Sequence, residues 1–153
     1  MGAAYFYHLT RQPLEATLPI LLGRALDQNW RVEVRGTRPD HVKWLDEKLW
    51  LGPEDGFLPH GLAGGEHDDH QPVLLTYEAS PIGRDCLMCV DGAETAAEEV
   101  NSSQRVCILF DGHDQDALAK ARAQWKQLTD AGCAAQYWSE ESGRWEKKAE
   151  ANS

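Results

Sequence analysis

No stretch of the 153-residue sequence approaches the roughly 20 consecutive apolar residues that a membrane helix needs, so no membrane partner is expected. The opening Met1-Gly2-Ala3-Ala4-Tyr5-Phe6-Tyr7 lacks the basic start of a secretory signal. Phe6 also stands where an N-myristoylation motif needs Ser or Thr. Basic charge is scarce: 15 Lys and Arg face 25 Asp and Glu, a net charge of -10. Broad contact with phosphate backbones requires a large cationic surface, so direct nucleic-acid binding is not expected. A small basic patch that grips an acidic peptide remains compatible with this balance. The four cysteines (Cys86, Cys89, Cys107 and Cys133) lie mostly in apolar runs. Without an export signal they read as reduced, buried thiols of a cytoplasmic protein. At 42% apolar and 26% charged residues, the composition is that of an ordinary globular chain long enough for one core.

What is present is an alternation of strands and helices. Residues 5–9 form an aromatic strand candidate, and residues 10–13 lead into a helix with Pro13 near its first turn. Leu14, Leu18, Leu21, Leu22, Ala25 and Leu26 repeat at helical spacing, with Pro19 expected to move the helix start towards itself. Residues 30–34 alternate as a strand. Thr37 is a candidate cap for a second helix that buries Val42, Leu45 and Leu49. Residues 50–71 hold five glycines and two prolines and read as a long loop. Strands are expected at 73–77, 86–90 and 105–110, with 93–103 as either a short helix or an exposed loop. A helix from Asp114 or Asp116 to about Ala131 is stopped by Gly132, and a strand at 133–138 precedes a charged tail, flexible over 149–153. This order implies an α/β domain over 1–148, with a mainly parallel sheet covered by helices on both faces.

Such a sheet invites a nucleotide, but neither G-x-x-x-x-G-K-[ST] nor G-x-G-x-x-G is present. The nearest cluster, Gly61-Leu62-Ala63-Gly64-Gly65, follows a Pro-His pair and lacks the lysine. No cofactor is expected. Cys86-Leu87-Met88-Cys89 is formally a C-x-x-C, yet residues three apart on a strand point to opposite faces, so the thiols diverge. Glu66-His67-Asp68-Asp69-His70 offers metal-binding atoms on a solvated loop, and no scaffolded metal site is expected there. Asp111, His113 and Asp114 follow a strand end, where helix capping accounts for the aspartates as well as acid-base chemistry would. No nucleophile is paired with His113, and no catalytic constellation assembles. The competing reading is a nucleotide-binding or metal-dependent enzyme built on the same sheet.

In the late helix, Leu118, Ala121, Trp125 and Leu128 recur at steps of three and four as a buried stripe. Arg122 and Lys126 flank Trp125, four residues apart. Spacing alone fits either a core tryptophan beside two solvated cations or a pocket that holds a carboxylate and an apolar side chain. Trp50, Leu51, Phe57 and Leu58 pose the same choice between a tucked loop and a partner patch.

Tyr5-Phe6-Tyr7-His8-Leu9, Leu45-Asp46-Glu47-Lys48-Leu49-Trp50 and Phe57-Leu58-Pro59-His60 with Leu62-Ala63-Gly64 resemble the chi subunit family of bacterial DNA polymerase III. So do Gln71-Pro72-Val73 and the segment around Arg122, Trp125 and Lys126 closed by Gly132. The resemblance runs from about residue 5 to 145, and the block over 50–64 is its most specific part. It implies a Rossmann-like domain without catalysis, which links the clamp loader to single-stranded-DNA-binding protein by holding that protein's acidic, Phe-ending C-terminal tail. It assigns tail binding to Arg122, Trp125 and Lys126, and binding of a psi subunit or another partner to Trp50 and Phe57. Leu118 stands where some members carry a lysine, and Lys120 lies on another face of the helix.

Overall fold

A computed structural model of the chain describes residues 3–11, 14–50, 60–62, 73–77, 85–140 and 144–152. Eight strands form one sheet in the order β3-β4-β2-β5-β6-β1-β7-β8. They are β1 (Ala3–Leu9), β2 (Val32–Arg35), β3 (His60–Leu62), β4 (Val73–Thr76), β5 (Cys86–Cys89), β6 (Arg105–Asp111), β7 (Ala134–Ser139) and β8 (Glu146–Ala151). All pairings are parallel except β7 with β8. The helices are α1 (Leu14–Asp27), α2 (Pro39–Trp50), α3 (Ala97–Ser102) and α4 (Gln115–Asp130).

Strand alternation divides the interior into two cores. Val32, Val34, Val73, Leu75, Cys86, Met88, Cys107 and Leu109 face Leu18, Leu21 and Leu22 of α1 and Val42 and Leu45 of α2. Phe6, Leu87, Cys89, Val106 and Ile108 face Val100 of α3 and Ala121 and Leu128 of α4. Helices therefore cover both faces, as a parallel sheet with apolar strands requires. The thiols of Cys86 and Cys89 fall into different cores, so the C-x-x-C is structural.

Several local expectations are corrected. Helix α1 runs unbroken through Pro19 from Leu14, immediately after Pro13, which lies outside the described residues. The proline forfeits one hydrogen bond near the helix start, and burial of Leu18, Leu21 and Leu22 offsets that loss. Thr37 does not cap α2. Its hydroxyl donates to the Asp91 carbonyl at 3.0 Å, and Pro39 opens the helix, where a missing N–H costs nothing. The stretch 93–103 resolves into a loop followed by α3, and the long loop supplies β3 at one sheet edge. The charged C-terminal segment supplies β8 at the other edge, so residues 149–151, expected in a flexible tail, pair with β7. Its residues are mostly exposed and its charges are partly matched, as in the 3.1 Å contact from Lys147 to Glu150. Charge on an edge strand hinders further strand addition.

Where β2 meets α3 the interior is polar. The Arg35 Nε donates to Glu33 at 2.9 Å, and Nη1 and Nη2 donate to the two carboxylate oxygens of Glu99 at 3.0 and 2.6 Å. Thr76 adds a hydroxyl donor to Glu33 at 3.1 Å. Burial alone penalises the Arg35 charge, but the bonds to Glu99 and Glu33 outweigh it and raise the guanidinium pKa. The same bonds hold the Glu99 carboxyl below the usual carboxylate range. A carboxyl depressed in the folded state stabilises above its unfolded pKa of about 4.3, and that stability fades as pH falls through the folded value. Glu99→Gln is therefore expected to cost about 1–3 kcal/mol at neutral pH in urea unfolding, because Arg35 stays buried with a weaker partner. The gap between the two proteins should narrow below about pH 4. A gap that persists unchanged into acid would show that the Glu99 charge does not stabilise the fold.

Candidate functional site

Helix α4 begins at Asp114, whose carboxylate accepts from the Asp116 and Ala117 amides at 2.9 and 3.2 Å. Asp111 accepts from the His113 amide at 2.9 Å, and the His113 Nε2 donates to the Thr10 carbonyl at 2.8 Å. These three residues thus serve the strand-to-helix turn, as the capping reading required.

Ala121, Gln124 and Leu128 are buried along the inner stripe of α4, and Leu118 and Trp125 are half-buried beside them. Gln124 was missed as an interior residue because its type suggests a surface. It accepts from the Thr95 amide at 3.3 Å and donates to the Ala93 carbonyl at 3.4 Å, tying α4 to the loop before α3. The indole of Trp125 meets Phe6 edge-on at 5.3 Å and Tyr137 at 6.1 Å between ring centres. The ring is thus an anchor at the margin of the core, and Arg122 and Lys126 are left exposed on α4. Neither forms an ion pair among the described residues.

Arg122 borders an open groove of about 570 Å³ whose wall includes His8, Gly112, Leu118 and Tyr137. Trp125 supports this wall from behind through Tyr137, and Lys126 follows one turn further along the helix, outside the groove lining. The Tyr137 hydroxyl contacts the His8 Nδ1 at 3.2 Å, and His8 stacks on Phe110 at 5.3 Å. His8 and Tyr137 gave no sequence signal, since parallel pairing of β1 with β7 brings together residues 129 positions apart. The backbone rim is fixed by buried Glu140, whose carboxylate accepts from the Thr10 and Arg11 amides at 3.0 and 2.8 Å. Trp50 ends α2 with its side chain outside the described residues. Phe57, Leu58 and the Glu66 to His70 stretch also lie outside them.

A second, larger cavity of about 800 Å³ opens at the C-terminal ends of β1, β5 and β6, where crossovers leave for opposite faces of the sheet. Ligands of open parallel sheets commonly bind at such a place. Here its rim is of mixed charge, with Asp91, Asp111, Asp114 and Asp116 beside Arg11, Arg38 and Lys120. Asp91 is engaged by the His41 Nδ1 and lies 3.8 Å from Arg38. Cys89 in its wall is pushed up to about 12 by burial, which makes it a poor nucleophile. Among the described residues no group of three or more His, Cys, Asp or Glu is arranged to hold a metal. No helix among them is long and apolar enough to cross a membrane.

A parallel α/β sheet of Rossmann-like form, without a phosphate-binding loop and with an exposed cationic flank on its last helix, defines the structural class. Within that class, the family model of the DNA polymerase III chi subunit, HolC, matches residues 1–136, and the chain belongs to this family. It is thus related to an accessory subunit of the replicative polymerase. No curated protein sequence matches the chain significantly.

The closeness of His8 to Gly112 gives a direct test of how the groove is built. A Cβ at position 112 would penetrate the His8 ring and lie 2.9 Å from the Leu9 carbonyl oxygen. Gly112→Ala is expected to lower stability by about 1–3 kcal/mol and to shift the His8 ring resonances as the imidazole is displaced. Unchanged unfolding and unchanged His8 signals would mean that this contact does not shape the groove.

Proposed function

We propose that the chain is a non-catalytic adaptor of the replicase. It holds the acidic, Phe-ending C-terminal tail of single-stranded-DNA-binding protein and links it to the clamp loader. The observation that carries this reading is the pair of exposed cations, Arg122 and Lys126. They stand without carboxylate partners among the described residues of a chain with net charge -10, and Arg122 edges an aromatic-walled groove. Arg122 takes a tail carboxylate through its planar fork, and Lys126 adds longer-range attraction along the same helix. Leu118 and Tyr137 offer the apolar wall for the terminal phenylalanine, and Trp125 positions that wall from behind. With Leu118 in the place of a lysine, this groove relies more on Arg122 and on apolar contact.

The Trp50 and Phe57 segment serves the connection to the clamp loader, through a psi subunit where one exists. The protein acts in the cytoplasm, where replication takes place, touches no nucleic acid directly, and has no active site of its own. The lack of a phosphate-binding motif in the sequence and the poor nucleophile Cys89 in the switch-point cavity weigh against the enzyme reading.

Calorimetric titration with a synthetic acidic tail peptide, with and without its final phenylalanine, tests the proposal. Roughly micromolar binding, about -8 kcal/mol, is expected for so small a site, weakening with added salt. Removal of the phenylalanine should abolish it, and Arg122→Ala should weaken it about tenfold or more. Equal binding by the Arg122→Ala protein would place the tail elsewhere.

A further inference from the structure

Arg105 opens β6, at the opposite end of the sheet from the α4 groove. By strand alternation with Cys107 and Leu109 it lies on the opposite face, the one covered by α1 and α2. Its guanidinium carbon stands 4.2 Å from the ring centre of Tyr5 and 5.2 Å from that of Trp30. Both rings are half-buried against the core, so the guanidinium plane is held by groups that themselves cannot move far. Among the described residues Arg105 has neither a carboxylate partner nor a side-chain hydrogen bond.

Two acids of neighbouring strands and loops are engaged elsewhere. Asp85 accepts from the Arg31 amide at 3.0 Å, and Glu150 takes the Gln136 amide and the Lys147 ammonium at 3.2 and 3.1 Å. In a chain with 25 acidic and 15 basic residues, a stacked guanidinium without a carboxylate partner among the described residues is a local exception to the charge balance. Aromatic faces beside cations usually suggest a platform for stacked bases. Here Arg105 itself occupies the faces of Tyr5 and Trp30, and the overall charge repels a polyphosphate strand. What remains on offer is the edge of a pre-oriented guanidinium, whose parallel N–H groups match one carboxylate.

We infer that Arg105, supported by Tyr5 and Trp30, is a second docking site, for an acidic segment of a partner protein. The site is separate from the α4 groove, so one molecule can hold two acidic segments at once.

Titration of isotopically labelled protein with a terminally blocked penta-aspartate peptide, read at the Arg105 Nε–H and the Trp30 indole N–H, tests this. Both signals are expected to move saturably in the parent protein and equally in Arg122→Ala, which alters only the α4 groove. In Arg105→Lys, which keeps the charge but loses the fork, the apparent affinity read at Trp30 should fall about threefold or more. Immobile signals in the parent protein would overturn the inference. So would a response to inorganic phosphate or oligothymidylate as large as that to the peptide.

Discussion

A one-residue slip of β1 would exchange the two cores of this protein. The strand is paired on both sides, to β6 and to β7, and its side chains alternate between the two helical layers. Ala4 and Phe6 serve the α3 and α4 side, whereas Tyr7 and Leu9 serve the α1 and α2 side. Both proposed binding surfaces depend on the same register. Phe6 seats Trp125, and His8 completes the groove wall beside Tyr137. On the other face, Tyr5 seats the Arg105 guanidinium. The placement of cations at two distant surfaces thus follows from how one strand is packed.

Electrostatics then separates internally paired charge from charge left exposed. Arg35 is buried and satisfied by Glu33 and Glu99, a pairing that fixes α3 against β2 and offers nothing to a partner. Asp91 is committed to His41 and Arg38, and Glu140 to backbone amides. Against this pattern of internal pairing, an unpaired cation on an acidic protein is informative. Surface ion pairs contribute little stability, so Arg122 and Lys126, without carboxylate partners among the described residues, cost the fold little.

Much of the architecture was legible because buried parallel strands and amphipathic helices write strong periodic patterns. The divergence of Cys86 and Cys89 followed from strand geometry alone and holds in the two cores. Strand β8 was not legible: Glu-Lys-Lys-Ala-Glu-Ala shows no apolar alternation, since backbone pairing to β7 rather than side-chain burial makes it a strand. Thr37 and Pro19 misled for a related reason, because tertiary contacts overrode the local signal at both. At the candidate site, the spacing of Arg122, Trp125 and Lys126 was visible on one helix. His8, Gly112 and Tyr137 were not, because topology assembles them from three distant segments. Gln124 was hidden by its type: a polar residue reads as surface until its two backbone partners are known.

The most direct test of the central claim, that β1 and α4 together present a peptide groove at Arg122, is to find where the tail's terminal phenylalanine ring rests. Intermolecular Overhauser contacts between that ring and the labelled protein would locate it. The account predicts contacts to Leu118 and Tyr137, with the amide of Gly112 shifting on binding. Contacts confined instead to the switch-point cavity near Asp91 and His41, or to the Tyr5 and Trp30 face, would contradict it.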